Sequence, residues 1–271
     1  MTVPRKLTCS YALDERVDRE LANLTQALYR CIQPFLGDRV TIPVRPRRGA
    51  VKGDTLPDPV QIWTIYCAVL VAGTADAALT SILHNLGREA RALTRQVYEC
   101  VTKAAYLRKH PRVARRELES ETFRDLYMLQ DLGYDKRSTR YRELKRECDL
   151  LAKKRPGLAK YVKDNRRKEL PTVKAALGRK GKRSELAYTF HYRLASQTIH
   201  AGVLGIRDVF TDKGVKFDGR EDNPNFALVF IAGYVLTFLY LECEVFGIDQ
   251  KAKLVHFSDQ LEQIKTRICA N

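Results

Sequence analysis

Three polar residues at helical spacing, Arg193, Ser196 and His200, form the set in this sequence best suited to chemistry. Residues three, four and seven positions apart lie on one face of an α-helix. An imidazole titrates near neutrality and can exchange the proton of a ribose 2′-hydroxyl or of a leaving oxygen. A guanidinium beside it can hold the phosphate, and a hydroxyl can orient the substrate or the imidazole. The set predicts phosphodiester cleavage without a metal or other cofactor. The alternative is that Ser196 and His200 are satisfied polar groups between packed helices.

A second polar pair, Arg95 and Glu99, lies one helical turn apart in an earlier segment. As a local feature it is an i,i+4 ion pair, in the less favourable order with the arginine first. As part of a site, Glu99 would orient Arg193 or His200 from a neighbouring helix. The sequence leaves both interpretations open.

The span from Arg193 to His200 has the pattern Arg-x6-His. It resembles the signature of HEPN-domain proteins, which are small helical bundles. Many of these are metal-independent ribonucleases of toxin–antitoxin and phage-defence systems. The resemblance implies that Arg193 and His200 are catalytic, and that two copies of the motif meet across a two-fold homodimer.

A wider pattern covers roughly residues 10 to 250. It consists of Arg95-x3-Glu99, then Tyr106-Leu107 and Pro111, and finally Ser196-x3-His200. This arrangement resembles a group of bacterial all-helical proteins with no established activity. It implies a bacterial or phage-related origin and the helical fold. With Arg95 and Glu99 included, the candidate catalytic set is Arg193, His200, Ser196, Glu99 and Arg95.

The elements that must position these residues are predicted to be helices. Apolar residues recur at spacings of three and four, which predicts an all-α, single-domain bundle of about eight or nine helices over residues 1–271, with few or no strands. The predicted helices are 13–35, two within 59–110, 112–131, 138–153, 161–176, 184–209, 226–247 and 250–268. The proline-rich stretch 38–59 is predicted to be a loop or arm, and 211–224 a loop.

The positive charge is concentrated in the helical segment 136–183. This segment has 19 basic and 5 acidic residues, a net charge of +14, whereas the whole chain carries +16. Such a concentration predicts a surface for the phosphates of RNA or another nucleic acid. The alternatives are a solvated face and a docking surface for an acidic protein partner or antitoxin. The residues predicted to contact nucleic acid are Arg137, Arg140, Lys153, Lys154, Arg155, Arg166, Arg167, Lys168, Arg179, Lys180, Lys182 and Arg183.

Three tyrosines, Tyr134, Tyr141 and Tyr161, are interleaved with these basic residues. They are interpreted as core contacts of amphipathic helices rather than as platforms for stacked bases. In the last helix, the apolar stripe of Leu254, Phe257, Leu261 and Ile264 would serve either a dimer interface or the core.

Composition indicates a globular protein of a reducing compartment. The seven cysteines are scattered and form no CxxC pair, so no disulfide framework or zinc site is predicted. The N-terminus lacks the apolar core of a signal peptide. The longest apolar run, 226–241, is shorter than the roughly 20 residues that span a bilayer, and predicts a buried core helix. We therefore expect a cytoplasmic protein with no membrane span.

Overall fold

A computed structural model describes residues 14–36, 58–84, 86–164 and 224–270, together with four residues of a short ladder within 210–215. In this part of the chain the fold is all-α, as predicted, with eight helices. They are α1 (Arg19–Leu36), α2 (Pro59–Leu83), α3 (Gly87–Lys109), α4 (Pro111–Asp131), α5 (Thr139–Lys154), α6 (Pro156–Asp164), α7 (Pro224–Phe246) and α8 (Lys251–Ala270). The ladder is a pair of two-residue antiparallel strands, β1 (Phe210–Thr211) and β2 (Gly214–Val215).

Three element boundaries differ from the prediction. Helix α1 begins six residues late, because the Asp18 carboxylate accepts a hydrogen bond from the Leu21 amide at 2.9 Å and caps the helix there. Helix α6 begins at Pro156, where the sequence indicated only a break, since proline suits the first position of a helix. The β1–β2 ladder occupies part of the predicted loop. The predicted helix 184–209 lies outside the described residues.

The chain divides into two compact units, and the divisions fall within α2 and α3. The first unit comprises residues 1–39, 67–101 and 181–271, and the second comprises residues 40–66 and 102–180. In the first unit, α1 packs on α7 and α8. Asn225, at the start of α7, accepts from the Asp18 amide at 2.7 Å and donates to the Arg16 carbonyl at 3.0 Å. The guanidinium of Arg267 contacts the carboxylates of Asp18 and Glu20, which fixes the end of α8 beside the start of α1.

The second unit is built around α4. The indole Nε1 of Trp63 donates to the Ala114 carbonyl at 3.0 Å, and the Lys103 ammonium lies 4.2 Å from the Trp63 ring centroid. Helix α4 ends at Asp131 with Leu132 as its C-cap, and the following Gly133 has φ +64°, a backbone conformation that glycine adopts readily. Apolar side chains of α4, α5 and α6 form one core cluster. Its buried members are Phe123, Leu126, Tyr141, Leu144, Cys148, Leu158 and Val162.

Among the described residues, α2 and α7 are long and apolar enough to cross a membrane. Helix α7 has 23 residues and is therefore longer than the apolar run seen in the sequence. In its most apolar stretch 61% of the residues are buried inside the protein, and in that of α2 44%. This is weak evidence for a membrane span, because the core helix of a soluble protein has the same length and composition.

Candidate functional site

Two members of the predicted catalytic set, Arg95 and Glu99, lie on α3. Arg193, Ser196 and His200 lie outside the described residues, so their predicted convergence with α3 stays a prediction. The Arg95 Nε donates to Glu99 Oε1 at 2.7 Å, which is the i,i+4 ion pair that the spacing indicates. The Arg95 side chain is 15% exposed and that of Glu99 is 37% exposed. The carboxylate therefore has solvent access while it fixes the direction of the guanidinium.

The basic segment is described from residue 136 to residue 164. Five of the predicted nucleic-acid contacts fall there, namely Arg137, Arg140, Lys153, Lys154 and Arg155, and all are exposed. The other seven, Arg166, Arg167, Lys168, Arg179, Lys180, Lys182 and Arg183, lie outside the described residues. Residues 136–164 hold 11 basic and 4 acidic side chains. All 11 basic side chains are exposed.

Helix α5 exposes its cations because its apolar residues occupy the other face. The hydroxyl of Ser138 accepts from the Tyr141 amide at 3.2 Å and caps the helix. Three buried side chains, those of Tyr141, Leu144 and Cys148, then face the core at helical spacing. Arg142, Arg146 and Lys153 follow one another at spacings of four and seven, on the opposite face. Arg142 and Arg146 were missed from the sequence-based set, although the same spacing rule identifies them.

Within the described part of the chain, most of these cations have no ionic partner. In the described segment, Lys145 pairs with Asp149 at 3.2 Å and Arg155 lies 3.6 Å from Glu119. The other nine basic side chains of residues 136–164 make no ion pair with any residue that the structure describes. They are Lys136, Arg137, Arg140, Arg142, Arg146, Lys153, Lys154, Lys160 and Lys163. A polyanion could bind them without first breaking protein salt bridges, and we call these nine residues the α5–α6 cation surface.

The tyrosines beside these cations point mainly into the protein. Tyr141 is 5% exposed, and its hydroxyl accepts from Gln130 at 3.0 Å. The Tyr161 hydroxyl donates at 2.8 Å to Glu117, which is buried. Tyr134 is 46% exposed. Two of the three tyrosines are thus packing residues, in agreement with the sequence-based interpretation.

A buried ion network holds α4 and α6 together. Glu117 is 1% exposed and accepts from Arg124 at 2.6 Å as well as from the Tyr161 hydroxyl. Arg124 also donates to the partly exposed Glu121. On the outer side, the Arg116 guanidinium lies 4.4 Å from the Tyr161 ring centroid. Burial and the hydrogen bond to Glu117 raise the pKa of Tyr161. The network anchors α6 and so positions its lysines.

A second group of basic residues was not among the predicted nucleic-acid contacts. Between Glu99 and Glu117 the chain has six basic residues and no acidic one. They are Lys103, Arg108, Lys109, Arg112, Arg115 and Arg116. This local excess of positive charge was missed because the charge outside residues 136–183 was counted as a whole. In that count, acidic residues elsewhere in the chain cancel it. A charge count in a short sliding window would have found it.

The apolar stripe of α8 belongs to the core. Leu254, Phe257, Leu261 and Ile264 are at most 9% exposed within a single chain. Of the two roles considered for this stripe, the dimer interface is therefore wrong, because the stripe is covered by the chain's own helices. The predicted homodimer would need a different surface.

Comparison with known proteins gives one match. No curated protein and no solved structure matches this chain significantly. The model of one family, DUF5677, described as a family of unknown function, matches residues 61–217. The matched region contains α2 to α6 and both parts of the candidate catalytic set. Since it covers more than half of the 271 residues, the chain belongs to the DUF5677 family.

Proposed function

We propose that this protein is a cytoplasmic, metal-independent endoribonuclease of the toxin–antitoxin or phage-defence type. It holds RNA on the α5–α6 cation surface and cleaves it with Arg193 and His200. The observation that carries the proposal is the set of nine exposed basic side chains on residues 136–164 that make no ion pair with another described residue. Neutralising phosphates with such side chains releases counterions, which drives RNA binding.

The cleavage step follows from the chemistry of the sequence motif. The His200 imidazole accepts the 2′-hydroxyl proton, and the 2′-oxygen attacks the adjacent phosphorus. The bond between phosphorus and the 5′-oxygen breaks, and the protonated His200 imidazole gives its proton to that oxygen as it leaves. Arg193 offsets the charge on the phosphate during the reaction. The products are a 2′,3′-cyclic phosphate and a 5′-hydroxyl. Glu99, which is paired with Arg95, would orient Arg193 or His200.

RNA binding is tested first, by fluorescence anisotropy with a labelled 2′-O-methyl RNA hairpin, which lacks the attacking hydroxyl. We expect the logarithm of the binding constant to fall linearly with the logarithm of salt concentration, with a slope of about −4 to −7. Replacing Arg142, Arg146 and Lys153 together by glutamine should reduce that slope by about 2 to 3. A slope near zero for the wild type would rule out a phosphate-binding surface.

Cleavage is tested separately with unmodified RNA. The purified wild type should produce fragments with cyclic phosphate ends in the presence of EDTA, and His200→Ala should bind RNA equally well but produce none. Arg193→Ala should also abolish cleavage. If the wild type leaves tRNA, mRNA and rRNA intact, the nuclease proposal fails.

A second candidate is a non-catalytic nucleic-acid-binding or regulatory subunit of a defence complex. The same exposed cations favour it, because binding requires only the surface and not the Arg193–His200 motif. Salt-dependent RNA binding with no cleavage in either the wild type or His200→Ala would support this second function.

A further inference from the structure

The cations of α4 and α6 come together in space although they are far apart in sequence. The guanidinium of Arg155 lies near Glu119, and Tyr161 contacts both Arg116 and Glu117. Arg155 directly precedes α6 and Tyr161 lies in its second half, so both contacts fall on the segment 116–119 of α4. The contacts of Tyr161 place the second half of α6 beside the second turn of α4.

Five exposed cations of the second unit, the α4–α6 cluster, lie within five residues of this contact, measured along their own helices. Arg112, Arg115 and Arg116 come from the first two turns of α4, and Lys160 and Lys163 from the last two turns of α6. Arg116 lies over the Tyr161 ring and 3.8 Å from Glu117. The other four make no ion pair with any residue of the described chain.

The arginines are unfavourable for the helix that carries them. The first turn of α4 contains no acidic residue, and Arg112 places a positive charge near the positive end of the helix dipole. Arg112 also lies three and four positions from Arg115 and Arg116, and like charges at these spacings repel. Helix α4 would be more stable with neutral residues here. An arrangement that weakens the local structure is expected where a ligand compensates for it.

We propose that this α4–α6 cluster binds phosphates of the same RNA that lies on the α5–α6 cation surface. The proposal rests on the proposed function and extends its binding surface to α4. Lys160 and Lys163 belong to both groups of residues and connect them. Because no exposed aromatic side chain of the described residues lies among the five cations, the contacts are to the RNA backbone and not to stacked bases.

The test replaces Arg112 and Arg115 together by glutamine. These two side chains make no described contact, so the fold should persist. We expect the free variant to melt about 1 to 3 °C above the wild type, because the repulsion within α4 is relieved. Binding of the labelled 2′-O-methyl RNA hairpin should be about tenfold weaker at low salt, with a salt slope reduced by 1 to 2.

The matched control is Arg19→Gln with Arg30→Gln, which removes two exposed charges from α1 in the first unit. Binding by this control should stay within about twofold of the wild type, since only the long-range effect of net charge changes. Equal loss of affinity in both double variants would overturn the inference. If the wild type itself fails to bind, the proposed function fails. If the Arg142, Arg146 and Lys153 variant loses affinity while Arg112→Gln/Arg115→Gln does not, only the inference about α4 fails.

Discussion

Glu242 is a buried carboxyl group in the middle of the first unit's core. It is 0% exposed, and neither of its side-chain oxygens has a hydrogen-bond partner among the described residues. It lies on α7 one turn after Phe238, another residue with 0% exposure. Burial raises the pKa of Glu242 from 4.5 to about 8. The carboxyl group is therefore neutral in the folded protein at neutral pH, whereas the unfolded chain carries it ionised.

The raised pKa predicts a specific pH dependence of stability. Because the unfolded state releases this proton at lower pH than the folded state does, the free energy of unfolding should fall between about pH 4.5 and pH 8. The loss should be about 4 to 5 kcal/mol, since each pKa unit corresponds to about 1.4 kcal/mol. Glu242→Gln cannot ionise and should lose this dependence, as measured by urea unfolding at pH 5 and pH 8. The exposed control Glu89→Gln should retain it. A wild type and Glu242→Gln with parallel pH profiles would contradict the assignment.

Glu117 and Glu121 allow the contributions of a buried and an exposed carboxylate to the free energy of unfolding to be compared. Both carboxylates pair with Arg124, but Glu117 is 1% exposed and Glu121 is 45% exposed. Glu117→Ala removes the acceptor of both Arg124 and Tyr161, and should lower the free energy of unfolding by about 2 to 4 kcal/mol. Glu121→Ala should lower it by less than about 1 kcal/mol. Thermal unfolding measures both, and equal effects would show that the network does not stabilise α4 and α6.

At the scale of the elements, the apolar periodicity was sufficient to predict most helices. The predicted helices 112–131 and 138–153 match α4 and α5 to within one residue, because Pro111 and Ser138 mark where each begins. Periodicity could not reveal what covers an apolar stripe. The stripe of α8 looked equally suitable for an interface and for the core, and only packing against α1 and α7 assigns it to the core.

The candidate site was less predictable than the helices. The Arg95–Glu99 ion pair could be read from spacing because its two residues are neighbours on one helix. The α4–α6 cluster could not, because it depends on the contact of Tyr161 with Arg116 and Glu117, about 40 residues away in sequence. The Glu117 network could not be predicted from the sequence either, since nothing in the sequence distinguishes this buried glutamate from the exposed Glu121.

The helical placement of the cations predicts how RNA is selected. Arg142, Arg146 and Lys153 lie on a regular helix, and Tyr141 and Tyr161 are held by contacts inside the protein. Such a surface contacts phosphates, which are the same in every sequence. RNA hairpins of equal length and different sequence should therefore bind within about threefold of one another at a given salt concentration. A hundredfold preference, measured by competition, would require base contacts elsewhere in the protein.

At the scale of the whole molecule, binding and cleavage are assigned to different parts of the chain. The α5–α6 cation surface comes from residues 136–164, whereas the proposed reacting groups are Arg193 and His200. If the cations hold the substrate and the transition state equally, their removal weakens binding without slowing the chemical step. The glutamine variant of Arg142, Arg146 and Lys153 should then raise KM about 10- to 100-fold and leave kcat unchanged.

The complementary variant, His200→Ala, should leave the Kd for RNA unchanged and abolish kcat, because it removes only the group that transfers protons. Steady-state cleavage of a fluorogenic RNA measures kcat and KM for each variant, and anisotropy titrations measure the Kd for RNA. A fall in kcat for the glutamine variant at saturating RNA would mean that the cations act on the transition state. In that case the surface would contribute to the chemical step as well as to the binding of RNA.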